Sequence, residues 1–272
     1  MISEINPEQA DIISMAGFQA MDDHLASMRY AGMIQHALLP AKEFLDGLLK
    51  EYFVLFLPKD IVSGDFYYVC CNRDYLCIAV GDCTGHGVPG ALMSILGISF
   101  LNEIMQQRGN LKANRVLNTM REKVMKALHQ TGDKSPTKDS IDIGLCLIDC
   151  KNNSMQFAGA NRPLIRIRDG ELTDYKPDLM TIGLAPLKEF AFKNNCIDTK
   201  PGDIFYLYSD GFPDQFGGIF NKKLKHRSFK RLLESVSQMP MEQQKEHLEK
   251  SFIDWKGNES QVDDVLVMGF KM

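Results

Sequence analysis

Four short acidic signatures recur along this chain: Ser63-Gly64-Asp65-Phe66, Gly81-Asp82-Cys83-Thr84-Gly85-His86-Gly87, Tyr208-Ser209-Asp210-Gly211 and Val262-Asp263-Asp264-Val265. Each places an aspartate at or next to the end of an apolar, β-branched or aromatic run. A carboxylate at a strand end stands clear of the sheet, and a neighbouring glycine lets the backbone bend so that another group can approach. Converging carboxylates repel one another by about 4 kcal/mol per close pair at an effective dielectric near 20. Divalent cations cancel that repulsion, and hard oxygen donors suit magnesium or manganese better than zinc. The pattern therefore points to a hydrolytic site built around two metal ions.

Composition sets the remaining bounds. The 272 residues, 44% hydrophobic and 24% charged, allow one large domain or two small ones. A net charge of -4 argues against a nucleic-acid partner. The densest basic run, from Asn221 to Lys230, reads as a solvated loop and helix start rather than a phosphate-binding patch. The seven cysteines have no metal-ligand spacing, and Cys77, Cys146 and Cys150 fall in or beside strand-like runs. They read as reduced, mostly buried thiols of a cytoplasmic protein. The reading finds no apolar stretch long enough to span a bilayer and no secretory leader, so the expectation is a protein that is neither membrane-spanning nor secreted.

Residues 8–39 read as one helix. Met21, Leu25, Met28, Gly32 and Gln35 keep a 4-3-4-3 spacing, and Pro40 ends the pattern. The stripe suits either simple packing on the domain or, as its length and its place before the strand-rich part favour, a regulatory or dimerisation helix over residues 1–40, with 41–272 a catalytic domain. Strand candidates follow at Tyr52–Leu57, Asp65–Cys71 and Tyr75–Val80, joined by short connections that make at least part of the sheet antiparallel. Two helices, near Val88–Arg108 and Leu111–Gln130, come next. Strands resume at Ile141–Asp149, Ser154–Ala158, Leu164–Arg168 and Asp203–Ser209. Helices near Ser228–Gln238 and Pro240–Trp255 then precede a last strand, Asp264–Phe270. Runs of strands and runs of helices favour an α+β fold over a doubly wound parallel sheet.

Taken in order, the signatures resemble the metal-dependent (type 2C, PPM) serine/threonine protein phosphatases, and among them the SpoIIE/RsbU-like branch. The matching stretches are Leu57 to Tyr67, Val80 to Met93, Leu207 to Gly218 and Gln261 to Val265, with Ile34 to Pro40 similar to the helix that precedes the catalytic domain. The resemblance implies a layered α-β-β-α sandwich of two mostly antiparallel sheets flanked by helices, with two Mn or Mg ions at one end. It implies catalytic roles for Asp82 and Asp65. Asp82 would bridge the metals, Asp210 and Asp263 would hold one, and Asp65 and the Cys83 carbonyl would assist the other. Lys59 would bind the substrate, and Asp264 is the weaker candidate of its pair. Asp139 would correspond to a third-metal position.

The implied reaction is in-line attack on phosphorus by a water bridging the metals, with no covalent phosphoenzyme. The implied substrate is phosphoserine or phosphothreonine on a bacterial signalling regulator, such as an anti-sigma-factor antagonist of the STAS type. An upstream sensor or partner protein would act through the N-terminal helix, which could also form a homodimer. Several positions depart from the family pattern. Ser63 and Tyr68 replace a glycine and an acid, Gly90 replaces an alanine, and Ala158-Gly159-Ala160-Asn161-Arg162-Pro163 replaces a Gly-His-Asn-Pro-Pro type segment. Thr84 stands where animal relatives have a catalytic histidine, so no general acid is assigned and His86 is only a candidate. Two alternatives remain at this stage: a non-catalytic signalling or binding module on the same fold, and a hydrolase of small phosphoesters.

Overall fold

The structure is a computed structural model that describes residues 7–72, 75–107, 111–132, 135, 137–149, 154–184 and 190–272, with side chains described from residue 21. A long helix α1 (Pro7–Leu38) and a short α2 (Lys42–Leu48) lead into strands β1 (Tyr52–Leu57), β2 (Asp65–Asn72) and β3 (Tyr75–Cys83). Helices α3 (Gly87–Met105) and α4 (Ala113–Ala127) follow. Strands β4 (Ile141–Asp149), β5 (Ser154–Ala160), β6 (Leu164–Arg168), β7 (Glu171–Tyr175), β8 (Asn195–Asp198) and β9 (Ile204–Tyr208) come next. The chain closes with α5 (Gly211–Asp214), the two-residue strands β10 (Phe216–Gly217) and β11 (Lys222–Lys223), α6 (His226–Val236), α7 (Met241–Lys256) and β12 (Val265–Lys271).

Alternation along the strands builds the layers. In β3, Ile78 and Val80 point to one side and Cys77 and Ala79 to the other, and all four are fully buried. A strand covered on both faces must lie between two layers. Ile78 and Val80 pack with Phe157, Phe205, Leu207, Leu266 and Phe270 between two sheets. Cys77 and Ala79 pack with Leu101, Leu117 and Met120 of α3 and α4. On the far side, Tyr206, Tyr208 and Val267 meet Phe229, Leu233, Leu248 and Phe252 of α6 and α7. One sheet has the order β1-β12-β9-β6-β7 and the other β2-β3-β4-β5-β8. Every pairing within these two sheets is antiparallel. The α-β-β-α sandwich is thus the observed architecture.

The sequence reading does not contain α2, α5, β10 or β11, and it differs from the structure in four further details. Strand β3 runs on past Val80 to Cys83, so Asp82 lies within the strand. Strand β7 was not foreseen, because Glu-Leu-Thr-Asp-Tyr is a half-exposed edge strand without an apolar period. Strand β8 was also missed, being four residues long and mostly polar. Helix α3 is, by length and composition, apolar enough to cross a bilayer, contrary to the expectation that no stretch is. Its apolarity has another cause here: Met93, Ile98, Leu101, Ile104 and Met105 are buried in the core shared with the sheet and α4.

Helix α1 docks through the C-terminal part of its stripe. A Cβ on Gly32 would lie 2.9 Å from the Ile61 carbonyl oxygen, so the helix backbone approaches that loop closely. Gln35 is buried, donating to the Ser63 carbonyl (2.5 Å) and the Ser94 hydroxyl (2.8 Å) while accepting from the Ser63 N–H (3.0 Å). Met21, Tyr30, Met33 and Ile34 remain exposed.

Candidate active site

Three of the aspartates are set by strand register. Asp65 on β2 lies directly opposite Asp82 on β3, and Asp82 directly opposite Asp142 on β4. Like charges facing one another across a sheet are destabilising, so a row of three calls for a compensating cation. The other sheet supplies the rest. Asp210 follows β9, Asp263 and Asp264 precede β12, and these two strands are neighbours. The two turns touch: a Cβ on Gly211 would sit 2.0 Å from the Asp264 carbonyl oxygen, so only glycine allows this approach.

The Asp65 and Asp82 loops are joined with similar closeness. The Gly85 carbonyl oxygen would meet a Cβ on Gly64 at 2.6 Å and one on Gly90 at 2.4 Å. This accounts for glycine at position 90, where the resembling family has alanine. Asp264 acts as a fastener, with Oδ1 accepting the Lys59 N–H (2.7 Å) and Oδ2 the Gly64 N–H (2.8 Å). With both oxygens engaged, it is less free to hold a cation than Asp263, whose Oδ1 accepts only the Asp264 N–H (2.9 Å).

Asp65 is fully buried, and its Oδ2 has no hydrogen-bond partner. Burial, followed by the charges of Asp82 and Asp264, pushes its carboxyl well above the usual carboxylate range, and a Ser209 hydrogen bond offsets this only in part. Burial likewise pushes Asp82 up to about 8; Arg162 pulls it down, while Asp210, Asp263 and Asp142 add to the rise. Burial also raises Asp263. Burial holds the Cys83 thiol far above its ordinary value, so it stays protonated and is no nucleophile.

The structure also brings in residues that sequence reasoning missed. Arg162 lies in the turn between β5 and β6, with one terminal nitrogen 2.7 Å from Asp82 Oδ2, 2.7 Å from Asp210 Oδ2 and 3.6 Å from Asp142 Oδ2. Burial works against its charge, but these three carboxylates more than offset that and raise its pKa. Asn161 donates to Asp142 Oδ1 at 2.9 Å. The signal for Arg162 was a basic residue in a turn where the resembling family has proline. Asp142 was recognisable as a polar residue inside an otherwise apolar strand.

Other candidates sit nearby with local partners. The Lys59 ammonium donates to the Val262 carbonyl (3.0 Å), beside the Asp263–Asp264 turn. His86 Nδ1 is 2.8 Å from Asp60 Oδ2 at the start of α3, in an exposed position. Thr84 Oγ1 is bonded to Ser140. The Asp139 carbonyl accepts from Gln130 (2.7 Å).

Among the described residues, no three Asp, Glu, His or Cys side chains already converge on one point as a finished metal pocket. The chemistry of the donor set nevertheless fits hard divalent cations. The site is all oxygen, it holds six carboxylates against Arg162 and Lys59, and Asp65 Oδ2 is buried and unpaired. A stability prediction follows from Asp82. Its unfolded pKa is near 4 and its folded value about 8, so the native state binds more protons between these values. The metal-free protein should therefore lose stability as pH rises from about 5 to 8. Chelator-treated wild type should show this fall in thermal melts, and Asp82→Asn should make it shallower, the rest being carried by Asp65 and Asp263, whose carboxyls burial raises in the same direction; parallel curves would refute the assignment.

Comparison with known proteins agrees with the geometry. The family profile described as Stage II sporulation protein E (SpoIIE) matches residues 72–272, beginning just after the Asp65 signature. The SiaA-PP2C domain of Pseudomonas aeruginosa superposes with a TM-score of 0.83 at 30% identity, covering 93% of this chain and 98% of that one. The PP2C phosphatase domain of SpoIIE from Bacillus subtilis, with a fragment of its regulatory domain, gives 0.66 at 18% identity, covering 82% and 63%. RsbX in complex with magnesium gives 0.55 at 15% identity, covering 81% and 94%. A comparison with curated protein sequences returns no match.

Proposed function

The chain belongs to the SpoIIE family of PPM-type protein serine/threonine phosphatases, and from that membership we propose that it dephosphorylates a bacterial signalling regulator, such as an anti-sigma-factor antagonist of the STAS type. The observation that carries this reading is the facing row Asp65, Asp82 and Asp142 on one sheet, joined through Arg162 to Asp210 on the other. Asp82, Asp210, Asp263, Asp65 and the Cys83 carbonyl would hold two Mn or Mg ions. When bound, these ions supply a nucleophile at neutral pH and neutralise charge on the phosphoryl oxygens.

The chain's own residues do the positioning. Asp264 pins the Lys59–Gly64 loop and thereby sets where Asp65 stands. Ser209 links the two sheets, bonding Asp65 with its hydroxyl while that hydroxyl accepts the Leu266 N–H at 3.0 Å. Lys59 lies at the rim, where its ammonium could turn from the Val262 carbonyl to a substrate phosphate. We place the protein in the cytoplasm, a reading supported by six described cysteines that are all free thiols. Residues 1–40 would carry regulation, and the exposed apolar residues Met21, Tyr30, Met33 and Ile34 would serve contact with a sensor protein or a second copy.

The test is hydrolysis of p-nitrophenyl phosphate and of a serine-phosphorylated STAS-domain protein, with manganese and then with chelator. Both activities should require the metal and stop with chelator. Full turnover in chelator would overturn the metal-based reading, and activity on the aryl phosphate alone would overturn the proposed substrate class.

A further inference from the structure

Arg162 is held unlike an ordinary structural arginine. Strong arginine–carboxylate pairs are fork to fork, with two parallel N–H···O bonds. Here one terminal nitrogen is shared between Asp82 and Asp210, which come from different sheets, and the buried Nε has no partner. The turn that carries it is firmly placed. The Arg162 N–H donates to the Ala160 carbonyl (2.7 Å), the Asn161 N–H donates to the Asp178 carbonyl (2.9 Å), and Asn161 has φ 56. The guanidinium therefore sits where a cation joins the two sheets' carboxylates, yet with much of its hydrogen-bonding capacity unused. Asp142, held by Asn161, lies 3.6 Å away as a further acceptor.

We infer that Arg162 is the resident counter-ion of the metal-free site, giving up Asp82 and Asp210 when divalent ions load and then presenting its freed N–H donors to the phosphoryl oxygens of the substrate. A guanidinium and a divalent cation cannot both occupy the gap between those two carboxylates. Asp142 keeps the released side chain at the rim, and the planar fork matches a phosphate better than it matches two separate carboxylates. The inference rests on the metal-based reading above, and the experiment separates the two.

Calorimetric titration of manganese into chelator-stripped full-length protein, and of inorganic phosphate into the manganese-saturated form, should be run on wild type, Arg162→Gln and Arg162→Lys. Arg162→Gln should bind manganese at least tenfold more tightly than wild type and phosphate at least tenfold more weakly. Its metal-free form should melt below wild type and recover with manganese. Arg162→Lys, which keeps a charge but loses the fork, should move in the same directions by less, and it carries the comparison if Arg162→Gln fails to fold without metal. Manganese binding by wild type with an equal or weaker isotherm in the variants overturns the counter-ion role, and unchanged phosphate affinity overturns the anion role. A wild type that binds no manganese removes the metal-based reading itself.

Discussion

Replacing Asp82 with asparagine should lower turnover of an aryl phosphate by at least about a thousandfold, since metal-assisted charge stabilisation and water activation are worth several kcal/mol and each 1.36 kcal/mol is tenfold in rate. Asp82 stands between Asp65 and Asp142 in register and is joined through Arg162 to Asp210, so no other carboxylate can take its place. The fold should survive. Asparagine has nearly the same volume, and the change removes a carboxylate whose burial already favours its neutral form. Asp210→Asn should behave in the same way. Paired measurements of rate and of thermal unfolding decide the matter: an active Asp82→Asn protein contradicts the assigned role, whereas an inactive, unfolded one reports only structure.

Replacing Gln35 with leucine should destabilise the protein by about 2–4 kcal/mol, because it strands the buried Ser63 N–H and removes partners from the Ser63 carbonyl and the Ser94 hydroxyl. The expected effect reaches the chemistry as well. Ser63 Oγ accepts the Asp65 N–H at 3.0 Å, so Gln35 on α1 is two hydrogen-bonding steps from a carboxylate of the site. Gln35→Leu should raise the manganese concentration needed for half-maximal activity, whereas Leu38→Ala on the exposed side of the same helix should not. Equal manganese dependence in both variants would limit α1 to packing. The role of α1 in assembly is tested separately by deleting residues 1–28 or replacing Leu25 with aspartate and measuring mass in solution.

Much of this molecule was legible in its sequence because the relevant physics is local. The unbroken apolar and aromatic runs Leu76-Cys77-Ile78-Ala79-Val80 and Ile204-Phe205-Tyr206-Leu207-Tyr208 specify strands buried on both faces, and the aspartates lie near their ends, Asp82 just inside β3 and Asp210 just beyond β9. Glycine beside Asp65, Asp82 and Asp210 announced close approaches that the backbone distances bear out at Gly64 and Gly211. Edge strands such as β7 lacked a burial pattern and so gave no signal.

What only the tertiary structure decided is which residues face one another. Register between strands is set by pairing over long sequence separations, and no local pattern shows that Asp142 would stand opposite Asp82 or that the β5–β6 turn would bring Arg162 between two sheets. Gln35 illustrates the same limit. Its spacing with Met21, Leu25 and Met28 suggested a seam for another helix, yet the structure spends it on the loop that leads to Asp65, because the amide can satisfy Ser63 only where helix and loop already meet. The sequence by itself determined the α+β class and the acidic residues near the strand ends, and through its resemblance the family and the layering that the family implies. The counter-ion within the acidic cluster and the contact that ties the N-terminal helix to it are products of packing.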